Sequence, residues 1–350
     1  MQPQRGRAIP TAALATAADV IDIVPYLLGF HPVESIVIVG LSERNGRAPQ
    51  VCLTARCDLP PAPMDPGAFS PLVAPLASTD SDCVVALVFT HHHPAASGDV
   101  PQHLHDVALA CALVGLSVVD LLVVGQERWW SLTCTDSGCC SPGGNERRST
   151  SASAEAVFAG LVALPDREAV RGQLAGQTRH ERDRLEPALA KAENRLTEAV
   201  LKGRLSTSLR ADLRAFTARL DRHPTEGTAG RAMTRAELAR FGVALTHVEV
   251  RDELWFRVDE RSVDADDALL ELLRRLPPPY DAVPLLLFAW SQWRKGNGTL
   301  ATMAGERALD SDPGLSAARV VLDTVQLGLN PARTPPLRSP SANVGTQRFG

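Results

Sequence analysis

CVVALVF (83–89), a helically spaced segment from Pro101 to Val114, and VVDLLVV (118–124) together decide the fold. A strand that is apolar at every position, or at all but one, needs cover on both faces, which is the condition of an interior strand in an α/β sheet. Two such strands joined by a helix make a β-α-β crossover. Leu104, Val107, Ala108, Cys111 and Ala112 are expected on the sheet-facing side of that helix.

Working upstream, SIVIVGL (35–41) and QVCLTARCDL (50–59) flank Asn45-Gly46, a strong hairpin signal, so they are expected to pair antiparallel. Thr16 to Asp19 reads as a capping box opening a helix that Pro25 interrupts and Gly29 stops. Pro66 to Ala77 is weakly helical. Downstream, Gly125-Gln126-Glu127 turns the chain and RWWSLTC (128–134) returns as a hairpin partner. The expected N-terminal domain is therefore α/β, a mixed sheet with crossover helices over residues 16–136, after a flexible stretch 1–15.

Residues 137–153 are rich in Ser, Gly and Pro and read as a surface loop or linker. Strand signals then nearly stop. Amphipathic helices are expected over 155–164, 167–175, 181–201, 209–220, after a second capping box at Thr234 to Glu237, and over 264–276. Residues 282–293, the turn Lys295-Gly296-Asn297-Gly298, residues 300–309, the run Ala308 to Pro313 and residues 315–326 follow one another as in a tetratricopeptide repeat. The expected second domain is all-α over 154–331, tetratricopeptide-like over 280–328. The tail 332–350, rich in Pro, Ser and Arg, is expected to be disordered.

Hydrophobic residues are 45% of the chain and charged residues 22%, an ordinary globular composition. The net charge of −4 argues against a nucleic-acid or membrane-surface binder. Residues 179–222 are locally basic, but acids interleave at helical spacing, as Glu198 with Lys202, the pattern of a solvated helix face. The apolar segment 11–30 is interrupted by Asp19, Asp22 and Pro25, so no membrane span is expected. Seven cysteines without a secretion signal imply reduced thiols and a cytoplasmic setting.

Val24-Pro25-Tyr26-Leu27-Leu28-Gly29-Phe30-His31-Pro32 followed by SIVIVGL resembles the start of the actinobacterial family catalogued as domain of unknown function 4192. The run Thr54 to Pro60, the block Arg128-Trp129-Trp130-Ser131 through Cys134-Thr135-Asp136 to Cys139-Cys140, and Trp293 to Gly298 through Asp312-Pro313 agree with it in order, over about residues 16 to 331. The resemblance implies the two-part layout and brings no activity, cofactor or catalytic residue.

Ligands of α/β sheets bind beyond the carboxyl ends of the strands. Arg56 and Asp58 close the second strand, His91, His92 and His93 follow the third, and Glu127 follows the fourth. If these groups share one rim, a histidine beside a carboxylate is the minimum for general acid–base work. The plain alternative is a polar loop and a local Arg56–Asp58 pair. Alternation along the return strand sends one of Trp129 and Trp130 inward and the other outward, as a ligand platform or a contact to the helical half. Cys134, Cys139 and Cys140 have metal-ligand chemistry for zinc. Adjacent cysteines in extended backbone point apart, however, and the fourth ligand would come from Cys111 or the histidines. Otherwise no cofactor is expected.

No phosphate loop, nucleophile elbow, HExxH or Rossmann fingerprint is present. The reading that follows is a non-catalytic regulatory or scaffold protein that binds a protein partner, or a second copy of itself, through its C-terminal helices. The alternatives are a small-molecule or enzymatic site at the strand ends, and a zinc-binding cysteine block.

Overall fold

In a computed structural model of the chain, residues 14–42, 49–91, 99–136, 138–176, 178–220, 232–260 and 265–337 are described. The chain divides into two compact units. One runs to Val170 and includes Thr324–Asn330; the other comprises Arg171–Asp323 and the segment from Pro331.

The first unit opens with α1 (Ala17–Leu28). Thr16 caps it: its hydroxyl accepts from Asp19 N, and the Asp19 carboxylate accepts from Thr16 N. The helix continues through Pro25, where an interruption was expected. Ile23, Val24 and Pro25 are all buried, and that packing offsets the one backbone bond a proline removes. Gly29 ends the helix at φ 83°.

The sheet has six strands: β1 (Ser35–Ser42), β2 (Gln50–Asp58), β3 (Cys83–Phe89), β4 (Ser117–Val124), β5 (Arg128–Ser131) and β6 (Asn145–Glu146), in the order β2-β1-β3-β4-β5-β6. β1 is antiparallel to β2 and to β3, β3 and β4 are parallel, and β5 and β6 continue antiparallel. The sheet is thus mixed, as expected, with its apolar interior strands at the centre. A short 3-10 turn (Pro66–Phe69), α2 (Ser70–Ala77) and α3 (Asp99–Leu113) cover one face, where Ile36, Ile38, Ala86, Val88, Leu104 and Val107 form the core. α1 covers the other and carries α4 (Ser151–Phe158) against it.

Two details differ from the sequence reading. Strand β6 and the start of α4 lie inside the stretch read as a loop; two residues of strand carry too little pattern to be seen. On α3 the buried side is turned toward Ala110, with Ala112 exposed, and it takes in His103 and Asp106.

The second unit is helical: α5 (Arg167–Gly172) at the boundary, then α6 (Arg179–Asp183), α7 (Glu186–Leu201), α8 (Leu205–Leu220), α9 (Arg235–Leu245), α10 (Val248–Asp259), α11 (Asp266–Arg275), α12 (Ala282–Arg294), α13 (Gly298–Ser311) and α14 (Ser316–Gln326), the last running across the boundary. The second capping box is present at Thr234 and Glu237. Helices α12 and α13 form the tightest helix pair of the unit. All 13 residues of α12 are buried, so it is a central helix and not the open inner face of a repeat array.

Two buried carboxylates of this unit anchor polar networks. Arg294 pairs with Asp259 through Nε and Nη2, its guanidinium lies 4.8 Å from the Trp293 ring centroid and 5.3 Å from that of Trp290, and Trp290 Nε1 donates to Asp259 Oδ1 at 2.6 Å. The same guanidinium donates to the carbonyls of Pro331, Thr334 and Pro335. The expected disordered tail is therefore held as far as Leu337. Asp212, fully buried, is clasped by Arg195 and Arg240.

Candidate functional site

Strand direction builds one rim. Asp58 at the end of β2 lies opposite Ser35 at the start of β1, Ser35 lies opposite Phe89 at the end of β3, and Phe89 lies opposite Val124 at the end of β4. The carboxyl ends of β2, β3 and β4 therefore share an edge, and Arg56, Asp58, His91 and Glu127 lie along it. His92 and His93 lie outside the described residues.

Glu34 knits this edge together. Its carboxylate accepts from Thr90 Oγ1 at 3.0 Å and His91 N at 2.8 Å, and its carbonyl accepts from Leu59 N. Glu34 has φ 42°, the one positive φ of a non-glycine residue among the described residues. An L-residue held in the left-handed region marks a place the surroundings over-determine. Arg56 donates to Ser35 Oγ through Nε and Nη2 and pairs with Asp58 at 2.5 Å. The His91 ring Nδ1 lies 2.9 Å from Gln126 Nε2. Among the described residues no carboxylate hydrogen-bonds this imidazole, so the acid–base pair anticipated from the sequence is not assembled there.

Beside Gln126 the rim opens into a cleft of about 300 Å³, walled by α1 on one side and by the β5–β6 edge on the other. Asp22, Gln126, Trp129, Arg147, Arg148 and Ser149 line it. Arg147 is half-buried. Its Nη1 donates to the carbonyls of Gly125 and Gln126, at 3.0 and 3.4 Å, while Nε and Nη2 have no acceptor among the described residues. Burial pulls this guanidinium below the usual arginine range, and Asp22 opposes the shift. Asp22 also accepts from Thr150 N at 2.6 Å and from Thr150 Oγ1, and so occupies the start of α4. Arg148 is exposed and pairs with Glu146. Sequence reading missed Glu34, Asp22, Arg147 and Arg148. The Arg147-Arg148 doublet was the only local signal.

The two tryptophans do not divide into inward and outward. Trp129 is buried on the α1 face, with the cleft at its edge. Trp130 packs on the α2/α3 core of the opposite face, and the β5–β6 loop folds back over it. A Cβ on Gly144, at φ 81°, would lie 2.5 Å from its indole. At this edge α1 stands over Trp129 and the β5–β6 loop over Trp130, so neither ring stands fully outward.

The cysteine block also departs from expectation. The Sγ atoms of Cys134, Cys139 and Cys140 lie within 4.8 Å of one another, a group that could hold a metal ion. The backbone here is not extended. The Asp136 carbonyl accepts from both Cys139 N and Cys140 N, at 3.1 and 2.7 Å, and the Asp136 carboxylate accepts from Gly138 N. This turn sends neighbouring thiols the same way, with Sγ to Sγ 4.0 Å. Burial, with the hydrogen bonds of Cys134 and Cys139, pushes the Cys140 thiol up to about 12. Cys111 does not join them; it is buried in the α3 core, where burial raises its thiol to about 11.

Fold and rim define a two-unit protein whose α/β half presents polar groups at its strand ends. The chain belongs to the family described as domain of unknown function (DUF4192), which matches residues 18–332. No curated protein and no solved structure matches it. Among the described residues no helix is long and apolar enough to cross a membrane.

Proposed function

We propose that this is a cytoplasmic binding protein for a small anionic metabolite, held in the cleft between α1 and the β5–β6 edge. The observation that carries the reading is Arg147, a half-buried guanidinium that lines a space of ligand size and whose Nε and Nη2 have no acceptor among the described residues. An anion there would offset the desolvation that now disfavours its charge. Arg148, Ser149 and the Gln126 amide add further donors, and the Trp129 edge gives an apolar wall. His91, reached through Gln126, and Arg56 with Asp58 form the second rank along the rim. Binding without turnover fits best, because two of the rim carboxylates are already engaged: Glu34 by Thr90 and His91 N, Asp58 by Arg56.

The test is a thermal-shift series on the full chain with inorganic phosphate, pyrophosphate, sugar phosphates and dicarboxylates. One of these classes raises the melting temperature of the wild type and not of Arg147→Gln. A series in which none shifts the wild type, or in which the variant responds equally, contradicts the reading.

A second reading, binding of a protein partner, rests on Phe158. Its side chain is 95% exposed at the end of α4, with Val157 and Val162 exposed beside it. Sedimentation across a concentration series tests the simplest case, self-association: the wild type associates and Phe158→Ser remains monomeric.

A further inference from the structure

We infer that Cys134, Cys139 and Cys140 form a zinc(II) site with three protein thiolates and one coordination position open to solvent. In a tetrahedral site with Zn–S bonds of about 2.3 Å, neighbouring sulfurs lie about 3.8 Å apart. Cys139 and Cys140 are at 4.0 Å and all three sulfurs lie within 4.8 Å, so the ligands need to close by less than about 1 Å. The ion enters as three S–H bonds give up their protons to solvent and three Zn–S bonds form. Water completes the fourth position.

The loop is preorganised for this. Asp136 builds the turn that carries Cys139 and Cys140. Cys134 is set by its N–H to Ser131 Oγ at 2.9 Å, and that hydroxyl donates to Asp120. At the far end of the loop, Arg128 Nη1 donates to the carbonyls of Gly143 and Gly144, and Gly144 presses on Trp130. A metal at the three thiols would clip the loop that joins β5 to β6, the strand that leads directly into Arg147. Cys139 is exposed and the other two thiols are half-buried, so an ion can reach the site from solvent. Three protein ligands are the number found in zinc sites that keep an exchangeable position, whereas closed structural sites use four. This inference rests on the loop alone and stands or falls separately from the anion cleft.

The experiment uses the full-length, untagged, reduced chain, stripped with a chelator and titrated anaerobically with zinc(II) against a chromophoric competitor. Cobalt(II) serves as the spectroscopic substitute. The expected result is one equivalent of zinc, with sulfur-to-cobalt charge-transfer absorption and tetrahedral ligand-field bands. Cys139→Ser, at an exposed position that leaves the fold intact by circular dichroism, weakens zinc binding on the order of a hundredfold. Cys52→Ser, at a half-buried cysteine elsewhere in the sheet, leaves it unchanged. Three outcomes overturn the assignment: no stoichiometric zinc, zinc binding that survives Cys139→Ser, or cobalt spectra without thiolate charge transfer.

Discussion

The two units handle buried charge in opposite ways. In the helical unit each of the three buried carboxylates Asp212, Asp259 and Asp281 meets guanidinium donors, and Arg294 is enclosed by Asp259, two indoles and three backbone carbonyls. In the α/β unit Arg147 is half-buried at a cleft with part of its donor capacity unused among the described residues, and three thiols converge with no disulfide between them. Saturated polar networks fix a structure; partly used ones are where a ligand can gain. The proposed reading accordingly assigns recognition to the sheet.

The comparison breaks first at Asp259. Replacing it with alanine leaves the buried Arg294 without its carboxylate counter-charge, and should cost about 3–5 kcal/mol in denaturant unfolding. A loss no larger than that of a surface substitution would mean the network is not closed.

Next is the pH dependence set by Cys111. Its folded pKa, about 11, lies above the ordinary thiol value of 9.0, so its contribution to stability is present below pH 9 and is lost as pH rises toward 11. Two pKa units correspond to about 2–3 kcal/mol. Unfolding free energies from pH 8 to 11 should therefore fall less steeply in Cys111→Ala than in the wild type, and equal slopes would refute this.

Gly144→Ala comes third. The new methyl must take a left-handed backbone at φ 81° and displace the Trp130 indole, which should cost about 1–3 kcal/mol in the melting of the α/β unit. The smallest effect is at Thr16. Thr16→Ala removes the α1 cap and should cost about 1 kcal/mol, without altering the spectrum of the folded protein.

The sheet was legible because SIVIVGL (35–41) and CVVALVF (83–89) are apolar without alternation and because Asn45-Gly46 signals a hairpin in the sequence. The rim was legible only as a condition, because the antiparallel pairing of β1 with β3 that puts Arg56, Asp58, His91 and Glu127 along one edge has no local sequence signal. The cleft was not legible. Asp22 and Arg147 are 125 residues apart in sequence, and only tertiary packing of α1 and α4 brings them near each other. The cysteine geometry was misread for a local reason, since extended backbone was assumed where Asp136 makes a turn. The helices α12 to α14 were found at nearly their true limits, whereas their tetratricopeptide-like character was not confirmed. Periodicity could not tell that α12 is buried all round, because a uniformly apolar helix has no marked face.

The central claim is that the cleft beside Gln126 is the recognition site, and the indole resonances test it most directly. The chain has five tryptophans, and Trp129 alone lines the cleft among the described residues. In a nitrogen–proton correlation spectrum titrated with pyrophosphate and with the anion that scores highest in the thermal-shift series, the Trp129 indole and the backbone amides of Gln126 and Arg147 to Ser149 should move together along one saturable curve, while the indoles of Trp290 and Trp293 stay fixed. Shifts that spread over the helical unit, or none at the cleft with any anion that stabilises the protein, would contradict the account.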